Sequence, residues 1–112
     1  MGFMFARVQL KYGQLARFQE IMSHIVPAME SKGWRLMGAY RTTLGTLYEV
    51  WDLWEVPDAN ATQSDLAAAV ADPDVAAWAV RLSECVETEE LRFLAELTYE
   101  DVPALKNAAR SS

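Results

Sequence analysis

Between Phe3 and Leu10 the side chains alternate in character. Met4, Ala6, Val8 and Leu10 fall on one side, and Phe3, Phe5, Arg7 and Gln9 on the other. A period of two rich in aromatic and β-branched residues predicts a strand, which Gly13 ends. The period then lengthens. Leu15, Phe18, Met22, Ile25 and Met29 recur at steps of three and four, predicting a helix over 14–31. Pro27 lies inside it and clashes with the carbonyl four residues back, so a kink near Ser23 or a break before Pro27 is expected. Gly33 closes the element. Trp34–Thr42 and Leu47–Val56 read as two strands around a short turn, and Asn60–Ala71 as an alanine-rich helix in which Asn60 and Gln63 resemble a capping box. Asp72-Pro73 suits the N-cap and first position of a further helix, with Val75, Trp78, Leu82 and Cys85 or Val86 as its apolar stripe. Leu91–Tyr99 reads as the last strand, with Leu91, Phe93, Ala95, Leu97 and Tyr99 on one face.

The order β-α-β-β-α-β predicts an α+β, ferredoxin-like domain: one antiparallel sheet with helices on one side. The uncovered side should then be polar, yet either choice of face leaves large apolar side chains on it. An apolar face without a cover implies a partner, and a second copy of the chain is the simplest one. The central hairpin fixes which residues share that face. A two-residue turn on Leu44-Gly45 would require positive φ at Leu44, so a three-residue loop, Thr43-Leu44-Gly45, is expected. Trp34 then opposes Trp54. Trp34, Leu36, Gly38 and Tyr40 join Tyr48, Val50, Asp52 and Trp54 under the helices. Arg35, Met37, Ala39 and Arg41 join Leu47, Glu49, Trp51, Leu53 and Glu55 on the other face, and a one-residue slip would exchange half of these places.

Composition narrows the function classes. The chain has 112 residues, 52% hydrophobic and 23% charged, which suits one folded domain, expected over 1–104 with a flexible C-terminal tail at 105–112. Ten Lys and Arg against 16 Asp and Glu give a net charge of -6, the wrong sign for a nucleic-acid platform or an anionic membrane surface. No apolar run long enough to span a bilayer and no signal-peptide pattern is present, so a cytoplasmic protein is expected. One cysteine, Cys85, forms no internal disulfide.

Two stretches carry a family likeness. Gly33-Trp34-Arg35-Leu36-Met37-Gly38-Ala39-Tyr40, followed by Gly45-Thr46-Leu47-Tyr48-Glu49-Val50-Trp51-Asp52-Leu53-Trp54-Glu55-Val56-Pro57-Asp58, resembles the NIPSNAP signature. In that family a strand starting at Gly leads through a Gly turn into a strand of the form Leu-Asn-Glu-Val-x-His-Leu-Trp. Ala71-Asp72-Pro73 to Trp78 resembles its Asp-Pro-x-Trp region more loosely. Gly45, Glu49, Leu53 and Trp54 keep the motif, whereas its Asn falls at Tyr48 and its His at Asp52. The resemblance implies a dimeric α/β barrel, in which two such sheets face each other, and it implies no cofactor. Related barrels, among them antibiotic-biosynthesis monooxygenases, hold small organic substrates.

The residues themselves offer few reactive sets. His24, the lone histidine, lies off the apolar stripe and reads as a surface side chain, although its ordinary pKa near neutrality would suit a base. Cys85 lies on an apolar stripe and reads as a buried structural thiol. Glu84, Glu87, Glu89 and Glu90 read as a solvated helix face. One His, one Cys and scattered carboxylates make no metal cluster, and there is no phosphate loop, Ser-His-Asp set or HExxH. On the mixed sheet face Arg41 and Glu49 could hold a polar ligand beside Trp51, or form an ion pair next to a dimer-core tryptophan. The reading is a homodimer binding a small, partly apolar molecule in a sheet cavity. The alternatives are a cofactor-independent monooxygenase or isomerase and a non-catalytic interaction module.

Overall fold

The computed structural model describes residues 2–58, 60–97 and 99, and the tail expected at 105–112 lies outside the described residues. The elements are β1 (Gly2–Leu10), α1 (Leu15–Glu30), β2 (Arg35–Arg41), β3 (Glu49–Val56), α2 (Thr62–Ala71), α3 (Pro73–Cys85) and β4 (Val86–Ala95). The four strands form one antiparallel sheet in the order β2-β3-β1-β4. This is the ferredoxin-like plan, with the second helical crossover divided at Asp72. The division is local chemistry. The Asp72 carboxylate accepts from the Asp74 N–H at 2.8 Å, and Pro73 occupies the first turn, where no N–H is needed.

Burial in β1 alternates without exception. Met4, Ala6, Val8 and Leu10 face the helices and are buried, whereas Phe3, Phe5, Arg7 and Gln9 are half-buried on the open face. From α1, Phe18, Ile21, Ile25 and Met29 pack down onto them. Trp34 and Trp54 meet edge to face at 6.1 Å in the same core. The helix runs unbroken through Pro27, which sits exposed in its last turns.

The structure departs from the expected pattern at five places. The Asn60–Gln63 capping box does not form: Ala61 is the N-cap of α2 without a side-chain cap, and the Asn60 N–H instead donates to Asp58 Oδ1 at 2.9 Å. The last strand starts at Val86 rather than Leu91, directly after Cys85, and ends at Ala95. The Lys11 N–H captures the Cys85 carbonyl at 2.8 Å, which delivers the acidic run into pairing with β1 instead of leaving it on a helix. The hairpin loop is also longer than three residues. Tyr48 takes a left-handed backbone (φ 57°), its carbonyl accepts from the Leu10 N–H at 2.9 Å, and its ring meets Tyr12 at 5.1 Å. Finally, Leu36 rather than Trp34 opposes Trp54, and between Leu36 and Gly38 the register shifts, leaving Met37 as an extra residue on β2. Beyond this bulge, Gly38 and Tyr40 pair with Leu53 and Trp51 on the open face. Ala39 and Arg41 pair with Asp52 and Val50 on the helix side. The Tyr40 ring folds back over Gly38, where a Cβ would come within 2.5 Å of the tyrosine hydroxyl.

Candidate functional site

The bulge separates the three side chains that the sequence grouped. Glu49 and Trp51 stay together on the open face, and Arg41 turns to the other side of the sheet. The partner of Glu49 is therefore Arg7 on β1, whose Nε donates to Oε2 at 2.7 Å. Thr42 Oγ1 and Trp51 Nε1 donate to Oε1 at 2.7 and 3.0 Å. The Thr42 hydrogen bond, followed by those from Trp51 and Arg7, holds the Glu49 carboxyl below its ordinary range against the opposing effect of burial. Phe5 packs on Trp51 at 5.3 Å, and the Arg7 guanidinium lies 5.9 Å from the same ring. Each Glu49 oxygen is already satisfied, so the cluster reads as a closed structural network.

The helix side is different. Between α1 and the β2–β3 half of the sheet lies a cavity of about 430 Å³, within the size range of small-molecule pockets. Leu15, Phe18, Met22 and Val26 of α1 form its roof, Leu36 and Val50 belong to its sheet side, and Arg41 stands exposed at its rim. Asp52 lies on its floor. The residue is 4% exposed and its side chain receives no hydrogen bond from any described residue. Burial, with a smaller contribution from the Glu89 charge, pushes its pKa from 3.8 to about 6. Asp52 also borders a second space of about 130 Å³ that continues toward α2 and α3, where Glu89 of β4 is the other carboxylate. Burial raises Glu89 as well.

Sequence reasoning assigned Asp52 to the helix-facing side without making it a candidate. The signal was an acidic residue at an inward position of an otherwise apolar alternation, Val50, Asp52, Trp54, Val56. The other singled-out residues have structural surroundings. Cys85 is fully buried, its thiol 3.8 Å from Gln14 Oε1. His24 is exposed and stacks on Trp78 at 3.9 Å, and Arg81 lies 4.3 Å from that indole. Among the described residues no group of three potential metal ligands converges, and no helix is long and apolar enough to cross a membrane.

Comparison with known proteins sets this geometry in a family. The chain matches the NIPSNAP family over residues 3–99. No curated protein matches it. Among solved structures, an uncharacterized NIPSNAP domain protein from Burkholderia xenovorans superposes with a TM-score of 0.74 at 22% identity, over 88% of this chain and 97% of that one. A NIPSNAP family protein with unknown function from Agrobacterium tumefaciens gives 0.77 at 16% identity, over 90% and 92%. An antibiotic biosynthesis monooxygenase gives 0.67 at 9% identity, over 88% and 100%. At these identities the likeness to the solved structures concerns the fold.

Proposed function

This chain belongs to the NIPSNAP family, and from that premise we propose that it binds a small, largely apolar molecule in the cavity beneath α1. One observation carries the reading: Asp52, 4% exposed, turns its carboxylate into an apolar space where no described residue donates to it. Burying a charge is costly unless it is paired, so an unpaired one on a cavity floor is a group awaiting a partner. Arg41 at the rim is the candidate that stays with this site. Glu49 and Trp51 belong to the open face.

The test is to fill the cavity. Ala39→Leu, from a lining position, should abolish thermal stabilisation by fragments that bind the parent protein and leave the fold intact by circular dichroism. Undiminished fragment binding in the filled variant would overturn the site.

A second reading is catalytic. A carboxyl poised near 6 in an apolar slot could take a proton from a bound substrate, as a cofactor-independent monooxygenase or isomerase requires. The fold shared with the monooxygenase above is compatible with this. A substrate whose turnover collapses in Asp52→Asn while its binding persists would favour it.

For assembly we propose a homodimer through the open face. Phe3, Phe5, Trp51 and Leu53 are only half-buried there, with Leu94 exposed beside them. Sedimentation at micromolar concentration should show the dimer, and a stable monomer would refute it.

A further inference from the structure

We propose that the cavity under α1 selects molecules carrying a positively charged nitrogen on an apolar body, that is, aliphatic or aryl amines. This rests on the reading above that the cavity holds a small molecule, and it adds which chemical class enters. Asp52 lies on the floor, 4% exposed, with neither oxygen hydrogen-bonded to a described residue. Glu89 borders the adjoining space, across β1 from Asp52, and brings a second negative charge to the same side of the sheet.

Among the described residues, no cation reaches the cavity floor. Arg7 is on the opposite face, held by Glu49 and Glu90. Arg41 stands exposed at the rim. The side chains that α1 contributes are apolar or uncharged, Gln19 and Ser23 being its polar ones. Those from α2 and α3 are apolar, Leu66 and Leu82 among them.

A ligand ammonium supplies what Asp52 lacks. It brings an opposite charge and N–H donors in one group, and such charge-assisted hydrogen bonds are roughly twice as strong as neutral ones. An alcohol of the same shape offers one donor and leaves the charge uncompensated. A carboxylate would bring a like charge up to Asp52. The expected order of affinity is therefore amine, alcohol, acid.

Three probes of matched shape test this by calorimetric titration: 2-phenylethylamine, 2-phenylethanol and 3-phenylpropanoate. The amine should bind most tightly. Asp52→Asn, which keeps the side-chain shape, should weaken the amine by roughly tenfold to a hundredfold and leave the alcohol nearly unchanged. With the unmodified protein, amine affinity should also decline as the pH is lowered from 7.5 to 5, because Asp52 becomes neutral. If the alcohol or the acid binds as tightly as the amine, or Asp52→Asn keeps full amine affinity, charge selection is wrong while the cavity reading survives. If none of the three binds, both are wrong.

Discussion

Glu49 and Asp52 stand three residues apart on one strand and meet opposite fates. Both are buried, at 7% and 4% exposure. Glu49 accepts from Arg7, Thr42 and Trp51 on the open face and is held below its ordinary pKa. Asp52, on the helix face, has no donor among the described residues and is pushed up to about 6. Burial raises both, and what separates them is the supply of hydrogen bonds. A satisfied buried charge contributes to the fold, whereas an unsatisfied one costs stability and marks a place where a ligand could repay that cost. The two sides of the sheet divide the work accordingly: one is built for cohesion and the other leaves a charge open.

Substitution separates the roles of the two carboxylates. The largest effect is expected from Trp51→Ala, which removes a donor to Glu49 and the ring on Phe5. It should cost about 2–4 kcal/mol by chemical denaturation, in the usual range for truncating a large, partly buried side chain. A loss below about 0.5 kcal/mol, the scale of ordinary surface changes, would show that the open-face network is ornamental.

Asp52→Asn should act in the other direction. The folded protein holds the Asp52 proton more tightly than the unfolded chain does, since the pKa rises from 3.8 to about 6. The penalty is thus absent below the unfolded value, grows between the two, and is complete above the folded one. At 1.36 kcal/mol per unit, the variant should be more stable by up to about 3 kcal/mol at pH 7.5, with no gain at pH 3.5. Denaturant melts at both pH values check it, and a variant less stable than the parent at pH 7.5 would mean Asp52 has a structural partner.

Glu49→Gln should have the opposite sign and a smaller size. Because the folded pKa is depressed, the contribution of Glu49 is present above its unfolded value and is lost as pH falls through the folded one. Tm should drop by several degrees at pH 7, and the gap between variant and parent should close in acid. A gap that persists unchanged at low pH would trace the effect to shape rather than charge.

Thr42→Val is the mildest change. It deletes the hydrogen bond that most lowers Glu49, so the Glu49 carboxyl should titrate at higher pH by NMR with little change in Tm. An unmoved titration would assign the effect to Trp51 and Arg7 instead.

Much of this architecture was readable from local pattern. The two faces of β1, the α1 stripe, the Asp72-Pro73 helix start and the element order all follow from periods of two and 3.6 and from capping chemistry, which act within a few residues. The acidic run from Glu87 to Glu90 carries no such local signal, because charges are equally at home on a helix surface and on a strand paired at a sheet edge. Its pairing with β1 decides the matter.

The candidate site was less legible, and the reason is one residue. From the amino-acid sequence alone came the two strands, the apolar open face and the conspicuous acid in the inward alternation of β3. Only the tertiary structure decided that Met37 bulges out of β2, that Arg41 therefore leaves the face of Glu49, and that Arg7, 42 residues away in the chain, takes its place. Side chains alternate with period two, so a single inserted residue reverses the face of every position beyond it. Whether that residue is accommodated in the strand or in the turn depends on how β1 holds Tyr48 and β3, a contact that no local pattern along the chain encodes.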